Sequence, residues 1–338
     1  MTGTKIKGVT RRSALGAMTV AGPLSATLAT LPGSAAAQAG WPSRSIRFVV
    51  PFAPGGTSEI VARTVALELG KQLGQTVYVD NKGGGAGVPA MTEVAKAAPD
   101  GHTLMLGHVG TLAVHPYIFQ NLAYDVNKDF LPVTMLARVP NLFVVHADVP
   151  ARNLPEFIAY VKKNPGKVDY GTAGNASAGH LAMEYLKMVS GMFMTHIPYR
   201  GTGPMLTDLL GGRLAATSAG LPALLPHIKS GRLRPIAVGT AKRLPALPDV
   251  ATVAEHGHKD FETSQWYGIL VPAGTPREIV KRLQEESLKA LKSNSVTERF
   301  TNDGAFGGGG PPEEFAAFIA QQQQVWRAVI QRAQIKPD

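Results

Sequence analysis

The run Gly55-Gly56-Thr57-Ser58 has the residue types that hold an anion without a cationic side chain. Glycine lets a ligand approach the backbone closely, and the first turn of a helix offers unpaired N–H groups at the positive end of its dipole. Alone, such a run also serves as a plain turn and helix cap. The chain repeats it, however, as Gly174-Asn175-Ala176-Ser177, and Gly110-Thr111 offers similar donors. Two such helix starts facing one another across a cleft would hold the two ends of a diacid, with Ala53 and Pro54 leading into the first of them.

Other chemistries meet obstacles in the spacing. A dinucleotide fingerprint at Gly83-Gly84-Gly85-Ala86-Gly87 fails, because Val88 or Ala90 stands where the third glycine belongs, and no Gly-Lys-Ser/Thr phosphate loop occurs. Ser177 lies near His180, which keeps a serine hydrolase as the alternative reading. The G-x-S-x-G elbow is broken, however, by Asn175 at its first glycine. The histidines, among them His102, His108, His115, His196, His256 and His258, show no metal-ligand spacing. With no cysteine in the chain, thiolate sites and disulfides are excluded. The expectation is no catalytic residue, no metal and no cofactor.

The elements that must position these loops follow from periodicity. Ile46–Val50 reads as a buried strand, followed by the Gly55-Gly56 turn and a helix through Val61, Val65 and Leu69. Similar strand–turn–helix units start at Thr76–Val79 and Thr103–Leu106, which predicts an α/β sheet. A second set begins with a strand at Leu142–Val145. It continues through a helix at about 154–164, a strand at 168–170, the Gly174 loop and a helix carrying Leu181, Tyr185 and Val189. Gln265–Pro272 then reads as a strand returning to the first set, followed by long helices at 276–293 and 312–332. The domains expected are one lobe of residues 41–142 plus 264–338 and another of 143–263, with two crossings flanking a cleft.

Residues 1–39 read as an export signal: a charged front with Lys5, Lys7, Arg11 and Arg12, a small-residue middle, and an Ala-x-Ala end at Ala37-Ala39. The Arg11-Arg12 pair predicts the twin-arginine route, while Ala14, small for its position, leaves the general secretory route open. The expected location is the periplasm. The signal has four basic residues and no acid, so the chain beyond it carries +6 of the formal +10. That excess is scattered, without an aromatic-basic stripe, which disfavours nucleic acid and suits small anions.

Six motifs carry a family resemblance. They are Pro51–Gly56, Ala98–Leu104, Tyr170–Gly174, His196–Gly201, Leu206–Gly212 and Leu247–Val253. From about Trp41 to the C-terminus the chain resembles the Bug-type extracytoplasmic solute receptors of tripartite tricarboxylate transporters. The resemblance implies a two-lobed, type II-like periplasmic-binding-protein fold that closes on a small carboxylate, then delivers it to a permease of one large and one small membrane subunit. It also implies that the carboxylate is held by backbone amides and ordered water in the loop Ala53, Pro54, Gly55, Gly56, Thr57 and Ser58. The opposing lobe would contribute Gly174, Asn175, Ala176 and Ser177, with Tyr199, Arg200 and Gly201. Two departures stand out: Glu59 replaces a common Asp, and Thr217–Gly220 lacks the acidic or amide residues of many relatives. The second disfavours an amino acid and favours an apolar or aromatic carboxylate, with Trp266 and Tyr267 as stacking partners if they are not core, beside the diacid that the facing helix starts favour. A monomer is expected, and a ligand-loaded sensor is the alternative to transport.

Overall fold

The computed structural model describes residues 40–333 and 335; the expected export signal lies outside the described residues. The first strands and helices follow the glycine turns: β1 (Ile46–Val50), α1 (Thr57–Leu73), β2 (Val77–Asn81), α2 (Val88–Ala95), β3 (Thr103–His108) and the short α3 (His115–Ile118). β1 pairs in parallel with β2 and β3, as short strand–helix–strand crossovers require.

The chain then runs into β4 (Phe130–His146), a strand of 17 residues. The strand expected at Leu142–Val145 is only its last part, and the added length contains two prolines. The structure places Pro132 at a register shift, where proline's missing N–H is tolerated, and Pro140 at the point where β4 changes partners. After β4 come α4 (Leu154–Lys163), β5 (Asp169–Thr172), α5 (Ala178–Ser190), β6 (Thr195–Pro198), α6 (Thr202–Leu210), β7 (Ala216–Gly220), α7 (Leu221–Lys229) and β8 (Leu233–Val238). The chain closes with β9 (Ser264–Pro272), α8 (Arg277–Leu291), α9 (Asn294–Asn302), β10 (Phe306–Gly309) and α10 (Pro312–Ala333). β10, four residues of Phe-Gly-Gly-Gly, lacks any strand signal of its own; it pairs antiparallel with β4.

The strand order β2-β1-β3-β9-β4-β7-β5-β6 explains the two lobes. Up to Pro140, β4 lies antiparallel to β9, which in turn lies antiparallel to β3. From Asn141 onward, the same strand pairs with β7 and β8, and β5 joins β7 and β6 in parallel. One strand therefore belongs to both lobes. The return crossing lies alongside, where Thr263 O accepts from Asn141 N–H at 3.5 Å.

Each lobe buries both faces of its sheet. Period-two alternation sends Phe143 and Val145 to one side of β4, against Phe157, Leu186 and Phe261, and Leu142 and Val144 to the other, against Leu209 and Leu224. In the first lobe, Val61, Val65 and Leu69 of α1 meet Leu283 of α8 and Phe300 of α9 over Phe48 and Ile269, while Met91 and Phe315 cover the opposite face. At about 1.5–3 kcal/mol for each large apolar side chain buried, these layers set the stability of the lobes. The loops that follow the strand ends are left to carry function.

Candidate functional site

The C-terminal ends of β1, β3, β5 and β7 converge on one small cavity between the lobes, the usual place for a ligand in an open α/β sheet. It measures ≈ 20 Å³ in this conformation, and its polar wall consists of Thr57 and Ser58 at the start of α1, Ser177 at the cap of α5, Thr202 at the start of α6, Ser218, Gln265 and His108. Phe52, Met205 and Ala219 supply apolar surface. Three helix N-termini thus share a cavity wall that includes no lysine, arginine, aspartate or glutamate.

The starts of α1 and α6 are capped by Gly56 and Gly201, which offer no side-chain acceptor, so the leading N–H groups of those helices are not consumed by a side-chain cap. α5 differs: Ser177 Oγ accepts from His180 N–H at 3.3 Å. His180 Nδ1 accepts from Ala176 N–H at 3.2 Å, and the His180 ring stacks on His196 with centroids 4.2 Å apart. The serine is a helix cap and the histidine a loop brace.

Glu59 turns away from the cavity. Its carboxylate accepts from Gly55 N–H at 2.6 Å and from Arg63 Nε at 2.7 Å. Ala53 N–H donates across the cleft to Arg200 O at 3.0 Å. Of the first loop's amides, those of Ala53 and Gly55 are therefore taken by protein acceptors. The lobes touch so closely here that a Cβ on Gly203 would lie 2.1 Å from Pro54 O, and one on Gly83 would lie 2.6 Å from Arg200 O.

The predicted site residues divide into groups. Thr57, Ser58 and Ser177 line the inner cavity. Gly174, Asn175, Tyr199 and Arg200 line an outer vestibule of ≈ 650 Å³, together with Gly84, Gly85 and Phe119. Ala53, Pro54, Gly55 and Gly56 face Gly201, Thr202 and Gly203 across the lobe contact. Gly110, Thr111 and Ala176 stand behind the wall: Gly110 N–H goes to His108 Nδ1 at 3.0 Å, and Thr111 Oγ1 donates to His108 O at 3.1 Å. In the vestibule, burial and the neighbouring Asp208 carboxylate push the Tyr199 hydroxyl up to about 12, and that hydroxyl donates to Asp208 at 2.7 Å.

Four wall residues were not singled out from the sequence as site residues: His108, Thr202, Ser218 and Gln265. For Gln265 a signal existed. Alternation along β9 puts Gln265 and Tyr267 on one face and Trp266 on the other. Trp266 accordingly packs on Phe315 and Phe318 and donates to Gln322 Oε1 at 3.2 Å, which makes it core and no stacking partner for a ligand. Tyr267 is fully buried behind the wall and donates to Gln265 Oε1. Ser218 Oγ, in a residue 2 % exposed, has no hydrogen-bond partner among the described residues. A buried hydroxyl left unpaired costs about 1–3 kcal/mol, which is tolerable where a ligand will supply the partner. Among the described residues, no cluster of three His, Asp or Glu is placed to hold a metal.

The sequence matches the tripartite tricarboxylate transporter family receptor, TctC, over residues 61–335. The chain belongs to this receptor family. Protein BugT of Bordetella pertussis is 36% identical over 297 residues, 88% of this chain and 91% of BugT. Among solved structures, R. palustris Rpa4515 with adipate superposes with a TM-score of 0.85 at 38% identity, covering 88% of this chain and 100% of that one. MatC from Rhodopseudomonas palustris with bound malate gives 0.82 at 33% identity, over 86% and 100% of the two chains. The periplasmic binding protein BugD gives 0.85 at 34%, over 88% and 100%. The family consists of solute receptors, not enzymes, and this receptor has their two-lobed fold.

Proposed function

We propose that this receptor captures a small carboxylate in the cavity between its lobes, works in the periplasm after removal of residues 1–39, and hands its ligand as a monomer to a tripartite tricarboxylate-type permease. The observation that carries the reading is the meeting of three helix N-termini and the unpartnered Ser218 hydroxyl at a wall that includes no charged side chain. Each helix start contributes about 0.3–1 kcal/mol toward an anion, and more where solvent is excluded. The adipate and malate of the related structures support a carboxylate.

Dicarboxylates suit the site better than amino acids or aromatic acids. No acidic side chain lines the cavity to meet an ammonium group, and Trp266 is spent in the core. A second carboxylate would reach the vestibule, where the Arg200 guanidinium is exposed. A cavity of ≈ 20 Å³ takes about one water, so a diacid enters only when the lobes separate. We take 41–142 plus 264–338 and 143–263 as the moving bodies, with Pro140-Asn141 and Thr263-Ser264 as the crossings. Closure then brings donors of both lobes onto the ligand.

Thermal unfolding of residues 40–338 against mono-, di- and tricarboxylates, aromatic acids and amino acids tests this. A ligand at 100 times its Kd adds about 2.7 kcal/mol, a shift of a few degrees. A shift with diacids alone supports the reading; none with any acid would reject it.

A further inference from the structure

His108 ends β3 at the cavity wall and is 2 % exposed. Its ring is held on three sides. Phe52 packs edge-on at 5.1 Å between centroids, Tyr267 lies at 5.4 Å, and Gly110 N–H donates to Nδ1 at 3.0 Å. A nitrogen that accepts a hydrogen bond carries no proton, so the tautomer is settled: the hydrogen of the neutral ring sits on Nε2. Among the described residues, no protein group accepts that hydrogen. His108 therefore differs from His115, the other deeply buried histidine of this region. His115 Nδ1 meets Tyr124 Oη at 2.9 Å, and the Tyr124 hydrogen is committed to Thr111 O, so His115 must be the donor in that pair.

We propose that His108 is a ligand-binding and selectivity residue of this receptor, its Nε2–H donating to an oxygen of the bound acid. This rests on the carboxylate reading above. An acceptor oxygen, as in a carboxylate, hydroxyl or carbonyl group, satisfies the donor; an ammonium placed there would face another N–H and is rejected. The donor is neutral as well as fixed. Burial, with some repulsion from His115, pushes the His108 imidazolium down to about 3, and Phe52 and Tyr267 put no charge against it. The contact is consequently selective for hydrogen-bond acceptors and insensitive to pH across the physiological range.

Two substitutions separate ligand binding from bracing of the Gly110 turn, because the amide of Gln reaches the place of Nε2 and that of Asn the place of Nδ1. Titration calorimetry of residues 40–338 with adipate, succinate and malate as probes is the experiment. His108→Asn keeps an acceptor for Gly110 but loses the cavity donor, and is expected to bind about 10- to 100-fold more weakly. His108→Gln keeps a donor in the cavity and is expected to stay within about threefold of the parent. The reverse ranking, or equal affinities for all three proteins, overturns the inference while leaving the carboxylate reading standing. Should the parent bind none of these acids or any other carboxylate, both fall together. Long-range ¹H–¹⁵N spectra of the unmutated protein decide the matter even if a variant fails to fold: Nε2 must carry the proton, and its resonance must move on saturation with the acid. An unmoved Nε2–H in the saturated complex would also sink the proposal.

Discussion

Gln265 Nε2 donates to Asn141 Oδ1 at 2.9 Å, where β4 passes from its pairing with β9 to its pairing with β7. The bond belongs to a directed chain. The Tyr267 hydroxyl donates to Gln265 Oε1. Asn141 Nδ2 in turn donates to Ala178 O at the start of α5 at 3.4 Å. Tyr267 and Gln265 of β9 are thus joined through Asn141 of β4 to the start of α5, and a satisfied buried network of this kind fixes one arrangement of its members.

Asn141→Ala would leave Gln265 Nε2 buried and short of its acceptor. Urea unfolding should show a loss of about 1–3 kcal/mol. Diacid affinity should fall as well, since the α5 start loses its tie. A variant with unchanged stability and affinity would mean the chain of bonds has no role.

Gly203 allows the closest approach of the lobes, because any Cβ there would meet Pro54 O at 2.1 Å. It lies within α6, where alanine is better than glycine by about 1 kcal/mol. Gly203→Ala should therefore leave unfolding of the ligand-free protein unchanged or raise its midpoint, yet shrink the shift produced by a diacid. Small-angle scattering should record a more open particle with ligand present. A full-sized ligand shift in this variant would show that the Pro54–Gly203 contact is not part of closure.

Ser218→Ala removes a buried hydroxyl that has no partner among the described residues. Stability without ligand should rise by about 1 kcal/mol, while diacid affinity falls. Opposite signs in the two measurements are the signature of a group kept for a ligand; a fall in both would make Ser218 structural.

Stability should decline with acidification earlier than carboxylates alone would cause. Burial pushes both His108 and His115 down to about 3 from an ordinary value of 6.5. Below pH 6.5 the unfolded chain takes up protons that the folded chain refuses, so stability is full above that value and is lost as pH falls toward 3. The slope approaches about 1.4 kcal/mol per pH unit for each histidine. Carboxylates held low by partners, such as Glu93 beside Lys82 and Arg47, add their loss only below their ordinary 4.5. Chemical denaturation between pH 7 and 5 checks this, and His115→Asn should flatten the decline. A stability constant from pH 7 to 5 would contradict the burial of neutral imidazoles.

The strand–turn–helix units are legible in the sequence, since the turns at Gly55-Gly56 and Gly174 and the two- and 3.6-residue periods are local properties. It showed which runs carry the anion-binding residue types, and family motifs spaced along the chain made the two-lobed receptor legible. It did not reveal that Gly55 N–H is taken by Glu59, that Ala53 N–H crosses to Arg200, or that Gly110 N–H fixes the His108 tautomer. Nor did it reveal that β4 runs through Pro140 to serve both lobes. These are choices of hydrogen-bond partner, and several join segments far apart in the chain, as in the 124-residue separation of Gln265 and Asn141. A donor's type is written in its residue, but whether it is free for a ligand depends on which distant acceptor folding brings within 3 Å of it.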